Sequence, residues 1–289
     1  MAYKFIDLFA GIGGFHIALH NLGAECVFAS EWDEAARKTY EENLNKVSPK
    51  LFKSGNFAGD ITQVDKASIP DFDVLCGGFP CQPFSQAGHK LGFDDTRGTL
   101  FFDIAEIIKI KQPKAFFLEN VRGLFKHDNG KTFEVIKRTL TEELGYSLHY
   151  SIVKASEHGL PQHRPRLFMV GFKDPSTPFL FPEKRELAYT MSDVMKGKVD
   201  RDIGFTLRVG GGSSPIEDRR NWDGYIVDGQ LRRISPEEGK KLQGFPDDFV
   251  FPVSRREAMK QLGNSVAINA IQDWAAELIK ALDKQKKKK

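Results

Sequence analysis

One cysteine in this chain stands where a structural thiol has no reason to be. Residues Gly77-Gly78-Phe79-Pro80-Cys81-Gln82-Pro83-Phe84-Ser85 follow the apolar run Val74-Leu75-Cys76. Pro80 and Pro83 bracket the thiol and Gly78 precedes them, which describes a shaped loop and not a regular helix or strand. A thiol in such a loop is a candidate nucleophile, because positive neighbours or helix N-termini lower its pKa from about 8.5 and expose the thiolate. Cys26 and Cys76, inside apolar runs, read instead as small core residues. Three cysteines without Cys-x-x-Cys spacing suggest neither a disulfide framework nor a zinc site, and no metal is expected. Glu119 follows the apolar run Ala115 to Leu118 and ends that strand at the sheet edge expected for Cys81, where a carboxyl can hold or donate a proton. Its plainer reading is a helix cap. Arg164 and Arg166 lead into the apolar run Leu167 to Val170, and their two-residue spacing aims both guanidinium groups the same way.

A second group of residues reads as a ligand site. Phe9-Ala10-Gly11-Ile12-Gly13-Gly14 lies between an apolar run and a helical pattern. Glycines there allow a tight turn and close backbone approach to a ligand in front of a helix, although a purely structural turn has the same composition. Glu31-Trp32 follows about 20 residues later, where an acid can take both hydroxyls of a ribose and an indole can stack on an adenine. Gly59-Asp60-Ile61 adds a third polar mark, with Asp60 as an acceptor for an adenine amino group or as a simple turn residue. An adenosine-bearing cofactor fits the three together. A nicotinamide cofactor fits less well, because the glycines run Gly-x-Gly-Gly and not Gly-x-Gly-x-x-Gly.

These residues need a scaffold, and the pattern supplies one. Phe5 to Phe9, Cys26 to Ala29, Val74 to Cys76 and Ala115 to Leu118 read as buried strands. Helical spacing separates them: Phe15, Ala18, Leu19 and Leu22, ended by Gly23; Ala36, Tyr40 and Leu44; Phe101, Ile104 and Ile108; then Phe133, Ile136, Leu140 and Leu144. Strands and helices in alternation predict an α/β class, with a doubly wound, Rossmann-like sheet. Past Phe172 the alternation stops amid Pro175, Pro178, Pro182, Gly210 to Gly212 and Pro215. The expected division is a catalytic and cofactor domain over 1–172, a smaller irregular domain over 173–258, and a C-terminal stretch 259–289 that completes the first. Ser235 and Glu238 form a capping box with Pro236 at the first helical position. Ile268, Ile271, Ala275, Leu278 and Leu282 share one face of a last helix, which needs the N-terminal sheet to lie against.

The composition excludes little else. At 40% hydrophobic and 28% charged, 289 residues can bury one large core and carry a small second module. No apolar run approaches the roughly 18 residues of a bilayer span, and MAYKFIDLF lacks the zones of a signal peptide, so a cytoplasmic enzyme without a membrane partner is expected. The net charge is +3. The excess of basic groups lies beyond residue 199, much of it in the run Lys286 to Lys289, which reads as a solubilising tail. A balance this close to neutrality does not by itself point to a nucleic acid.

In GFPCQPFS and Glu119-Asn120-Val121 the sequence resembles the bacterial cytosine-C5 DNA methyltransferases of restriction-modification systems. The resemblance spans nearly the whole chain. It takes in DLFAGIGG, EW, GDI, GFPCQPFS, ENV, Gln162-His163-Arg164-Pro165-Arg166, RRISPEEGKKLQGFP and Gln261-Leu262-Gly263-Asn264-Ser265-Val266, in the family's order. It implies methyl transfer from S-adenosyl-L-methionine (SAM) to carbon 5 of a cytosine flipped out of a specific double-stranded DNA sequence, leaving S-adenosyl-L-homocysteine. Carbon 5 is a poor nucleophile until Cys81 adds to carbon 6, and Glu119 at ring N3 stabilises the charge that develops. Resemblance gives Arg164 to the base and the catalytic carboxylate, and Arg166 to a supporting or phosphate contact.

It further places Phe9, Gly11, Gly13, Gly14, Glu31, Trp32, Asp60, Ile61, Pro80, Leu100, Asn264 and Val266 around SAM. Gln82 and Ser85 would touch DNA from a loop, Gln82 to Gly98, hinged at Gly88, Gly92 and Gly98 and closing over the bound duplex. Gly204-Phe205-Thr206-Leu207-Arg208-Val209-Gly210-Gly211-Gly212 resembles the family's Thr-Leu segment. Thr206 would steady the extruded nucleotide, while Arg208, Arg219 and Arg220 would meet guanine edges or phosphates. A monomer with a companion restriction endonuclease is the expected setting. Two rivals are weaker. A tRNA cytosine methyltransferase carries a Cys-Phe-Thr signature where residues 173–258 contain no cysteine, and a binding protein without activity would not need Cys81, Glu119 and Arg164 intact.

Overall fold

The computed structural model describes residues 2–80, 100–210 and 212–287. Cys81, Gln82, Ser85 and the proposed hinge glycines lie outside the described residues.

Seven strands form one sheet in the order β3-β2-β1-β4-β5-β7-β6. They are β1 (Lys4–Leu8), β2 (Glu25–Ser30), β3 (Phe57–Ala58), β4 (Val74–Gly78), β5 (Ala115–Val121), β6 (His149–Lys154) and β7 (Pro165–Phe172). The first five run parallel, and β7 is antiparallel to both β5 and β6. The chain winds outward from β1 through β2 to β3, then returns to start β4 on the other side of β1. That reversal opens a crevice at the carboxyl ends of the strands, where ligands bind in open α/β sheets.

Period-two alternation decides which residue faces which layer. In β5, Ala115 and Phe117 join the apolar cluster of one face, and Phe116 and Leu118 that of the other. The first face carries α1 (Gly14–His20), α2 (Glu34–Leu44) and α9 (Ile268–Lys286). The second carries α4 (Leu100–Lys111) and α5 (Lys131–Arg138). The helical pattern through Leu144 is met by α5 and then one wider turn over Thr139–Glu143. β5 is longer than the apolar run alone suggested, so Glu119 sits inside the strand, opposite Gly78 of β4.

Helix α9 lies along α1. Trp274 anchors it, packed on Phe117, Phe168, Phe179 and Phe181 at centroid distances of 6.3, 5.5, 5.7 and 5.2 Å. Near its end, Asp283 accepts a hydrogen bond from the Tyr3 hydroxyl at 2.8 Å, and Lys286 lies over the Tyr3 ring.

The segment 173–258 contains α6 (Met191–Met195), a hairpin of β8 (Gly224–Val227) and β9 (Gln230–Arg233), α7 (Pro236–Gln243) and the start of α8 (Arg255–Asn264). The hairpin turns on Asp228-Gly229, both with positive φ, as a two-residue loop demands. Ser235 and Glu238 cap α7 reciprocally with Pro236 in its first turn. Met191, Leu207, Tyr225, Ile234 and Leu242 of this segment belong to the same apolar cluster as α1 and α9, so the sheet's first face and residues 173–258 share one core. Among the described residues no helix is long and apolar enough to cross a membrane.

Because Trp274 touches three aromatic rings of that shared core, with Phe181 at its edge, Trp274→Ala should cost roughly 3–5 kcal/mol of stability, read as a lowered midpoint in denaturant unfolding.

Candidate active site

The crevice at the carboxyl edge of the sheet holds a cleft of about 520 Å³, within the usual range for a small-molecule site. Each of the first five strands contributes to its wall. Phe9 and Gly11 come from the turn after β1, Glu31 and Trp32 from the end of β2, and Asp60 and Ile61 from the turn after β3. Gly78 and Pro80 follow from β4, Glu119 and Asn120 from β5, and Leu100, Arg166 and Asn264 close the sides.

The glycine turn divides its labour. Phe9, Gly11 and Gly13 all take positive φ, a conformation that is uncommon for a bulky side chain such as Phe9 and ordinary for glycine. Gly11 faces the cleft, and a Cβ there would meet open space. Gly13 and Gly14 do not line it. A Cβ on Gly13 would come within 2.5 Å of Leu44 Cδ1, and one on Gly14 within 2.5 Å of Val266 Cγ2. These two glycines therefore let α1 sit tightly against α2 and the chain before α9. Val266 does not line the cleft either, but packs behind the turn. At Gly13, Gly14 and Val266 the structure shows packing that fixes the turn.

Glu31 is buried, and both carboxylate oxygens are placed. Oε2 accepts from the Gly11 amide at 2.7 Å and Oε1 from the Asp33 amide at 2.8 Å. Burial pushes its carboxyl up from the ordinary value, and those two N–H groups oppose the shift. Trp32 beside it is 78% exposed, an indole face left for something to cover. Asp60 Oδ1 accepts from the amide and the hydroxyl of Thr62, at 2.9 and 2.8 Å, so it caps the short turn that presents Ile61.

Two cations not singled out in the sequence hold this wall. Arg37 donates to the carbonyls of Glu31 at 3.1 Å and Phe57 at 3.2 Å, and also to that of Ala58, tying the ends of β2 and β3 together. Lys260 on α8 pairs with Asp33 at 3.0 Å and lines the same cleft. Arg37 falls one turn after Asp33, the N-cap of α2, on the same side of the helix; that spacing was the available signal. Nothing local marks Lys260.

At the opposite end lies the second chemical group. Glu119 is 8% exposed, and its Oε1 pairs with Arg166 Nε at 2.9 Å. Burial pushes its carboxyl up from the ordinary value, against the pull of Arg166 and then Arg164. Beside it, Asn120 donates to the Phe79 carbonyl at 2.8 Å and anchors the backbone one residue before Pro80. Cys26 and Cys76, by contrast, are buried, with their thiols pushed well up by burial.

The two arginines are not aimed alike. Arg164 precedes β7 with a φ of 22°, which breaks the strand alternation at that point. Its side chain is 1% exposed, and it donates to the carbonyls of Leu207 at 3.1 Å and Gly263 at 3.0 Å, and to that of Ser265. Burial, then Arg166, pull its guanidinium well below the ordinary value. The direct partner of Glu119 is therefore Arg166, while Arg164 holds backbone.

Thr206 and Arg208 line a second groove of about 400 Å³, together with Arg122, Pro165 and Val209. Arg166, Gly263 and Asn264 line both cavities. Arg220 is exposed and held bidentate by Asp218, through Nε at 3.0 Å and Nη2 at 2.6 Å.

The family model for the C-5 cytosine-specific DNA methylase matches residues 3–207 and 201–280. The Type II methyltransferase M.HpaII of Haemophilus parainfluenzae is 42% identical over 331 residues, covering 97% of this chain and 90% of the relative. M.HhaI of Haemophilus parahaemolyticus is 39% identical over 310 residues, covering 93% and 92%. A substituted DNMT2 from Spodoptera frugiperda shares the fold at a TM-score of 0.72 and 20% identity, covering 98% of this chain and all of that one. A match to both the model and these relatives along almost its full length makes this chain a member of the C-5 cytosine-specific DNA methylase family.

Proposed function

We propose that the protein transfers a methyl group from SAM to carbon 5 of a cytosine turned out of a specific DNA duplex, with Cys81 as the covalent nucleophile. The observation that carries this reading is the buried pair of Glu119 and Arg166 in a cleft whose wall includes Pro80, the residue before Cys81.

The residues present suit the cofactor. Glu31 offers a fixed carboxylate to ribose hydroxyls, Trp32 an uncovered indole and Ile61 an apolar wall to the adenine, and Asp60 an acid at the same turn. When bound, SAM supplies an electrophilic methyl group. The chain's own residues prepare the base to accept it. Cys81 adds through sulfur to carbon 6, and negative charge grows on the ring. Glu119 donates a hydrogen bond or proton at ring N3, which its raised pKa favours, and Arg166 holds the carboxyl in place. Loss of the carbon-5 proton to a base then lets sulfur leave and restores the double bond.

A base inside a duplex is out of reach, so the reaction requires extrusion at a cost of a few kcal/mol. Residues 173–258 are the proposed target-recognition region. Thr206 and Arg208, in the groove beside Arg166, would receive the nucleotide backbone, and Gln82 and Ser85 would meet the DNA from the catalytic loop. The Type II naming of the relatives supports a companion endonuclease acting on the same sequence, with the methyltransferase itself monomeric.

The deciding experiment methylates unmodified duplex DNA with the purified protein and maps modified bases at single-nucleotide resolution. Methyl groups on an exocyclic amine, or none on DNA, would overturn the proposal. Cys81→Ser should abolish turnover and leave S-adenosylhomocysteine affinity within about twofold, while wild type should form a stable adduct with duplex containing 5-fluorocytosine, visible as a shifted band on a denaturing gel. Glu119→Gln should lower turnover by roughly two to four orders of magnitude. Because Glu119 keeps its proton above the ordinary carboxyl range, wild-type turnover should fall as pH rises through that raised value. A pH–rate profile should show this limb in wild type and lose it in Glu119→Gln.

A further inference from the structure

The cofactor cleft and the groove of Thr206 and Arg208 are separated by a wall one residue thick. Arg166, Gly263 and Asn264 face both cavities. At Gly263 the two backbones touch: a Cβ there would lie 2.5 Å from the Arg208 carbonyl carbon and 2.8 Å from the Val209 nitrogen. Arg164 is the bolt through this wall. One Nη takes the carbonyl of Leu207, between Thr206 and Arg208, and the other takes the carbonyls of Gly263 and Ser265, which flank Asn264. Gln162 holds the same segment from another side, accepting from the Leu207 amide at 3.0 Å and donating to the Leu242 carbonyl of α7 at 2.9 Å.

We infer that Arg164 is a positioning residue that couples DNA binding at the 206–208 segment to cofactor binding at Asn264. The inference rests on the proposed function of both cavities. Its physical content is simple. Leu207 cannot shift toward or away from a bound duplex without moving a guanidinium that also fixes the two peptide groups around Asn264. Three carbonyls sharing one buried cation move together or lose their donor, and a buried carbonyl without one is costly. Linkage then requires the effect to be reciprocal: whatever DNA does to cofactor affinity, the cofactor does to DNA affinity by the same factor.

The test measures S-adenosylhomocysteine affinity by titration calorimetry, with and without a duplex containing the target cytosine. Wild type should bind the cofactor product about tenfold more tightly when DNA is present, inside the roughly 5- to 150-fold span of such couplings. Arg164→Lys keeps the charge but cannot fork to three carbonyls, and its ratio should fall to within twofold of one. A merely structural role would weaken binding or lower the melting temperature and leave the ratio alone. A ratio near one in wild type, or an unchanged ratio in Arg164→Lys, would overturn the inference. Hydrogen exchange on wild type needs no variant to fold: S-adenosylhomocysteine alone should slow exchange in residues 204–209, and DNA alone in 261–266. If neither segment responds to the distant ligand, the coupling does not exist. A wild type that binds neither ligand would instead refute the function on which the inference rests.

Discussion

A carboxyl group sits in the fifth strand of a parallel sheet, almost out of water, with one guanidinium against it. Burial drives Glu119 toward its neutral form, and Arg166 at 2.9 Å draws it back. A carboxylate alone in that place would be too costly to keep charged, and the guanidinium offsets part of that cost. Arg166 reaches it with Nε, from the strand next to its own in the sheet. The rest of the fold can be understood as what keeps this balance. β4 brings Gly78 directly opposite Glu119, where a Cβ would already stand 3.3 Å from the carboxylate. β7 supplies Arg166 by running antiparallel at the point where the parallel sheet ends. Asn120 then ties the strand to the backbone leading to Cys81.

The other half of the cleft relies on close contact more than on charge. α1 can start where it does because Gly13 and Gly14 admit Leu44 and Val266 within distances that no side chain would allow. The chain returning from residues 173–258 touches down at the same place, and Gly263 admits the backbone of Arg208 and Val209. Three glycines from two ends of the sequence thus mark the seams where separate pieces meet around one ligand space. Arg37 and Arg164 close those seams from inside, each satisfying three main-chain carbonyls with one planar cation, a geometry that lysine does not match.

Much of this was legible. The α/β alternation, the capped helix after Ser235 and the one-sided apolar face of the last helix follow from periodicity and cap chemistry. Glu31, Trp32 and Asp60 were readable at or just past the ends of strands, and Glu119 at the end of an apolar run that the strand itself outlasts, while the loop read around Cys81 lies outside the described residues. What stayed hidden has a physical reason in each case. Gly11, Gly13 and Gly14 look alike in a string, since a ligand and a neighbouring helix both ask for a missing Cβ. Arg164 and Arg166 obey strand alternation on paper, but a positive φ at Arg164 turns the chain before β7 begins. Lys260 and Arg37 matter only because of what tertiary structure sets beside them, and the shared core under residues 173–258 leaves no periodic trace in a segment so broken by proline and glycine.

The hydroxyl of Tyr3 and the carboxylate of Asp283 meet at 2.8 Å, beside the amino end of β1 and so at the edge of the sheet away from the cleft. The late turns of α9 are thereby clamped outside the ligand space, and fraying of that helix is checked there before it can loosen Trp274 and the rings packed on it.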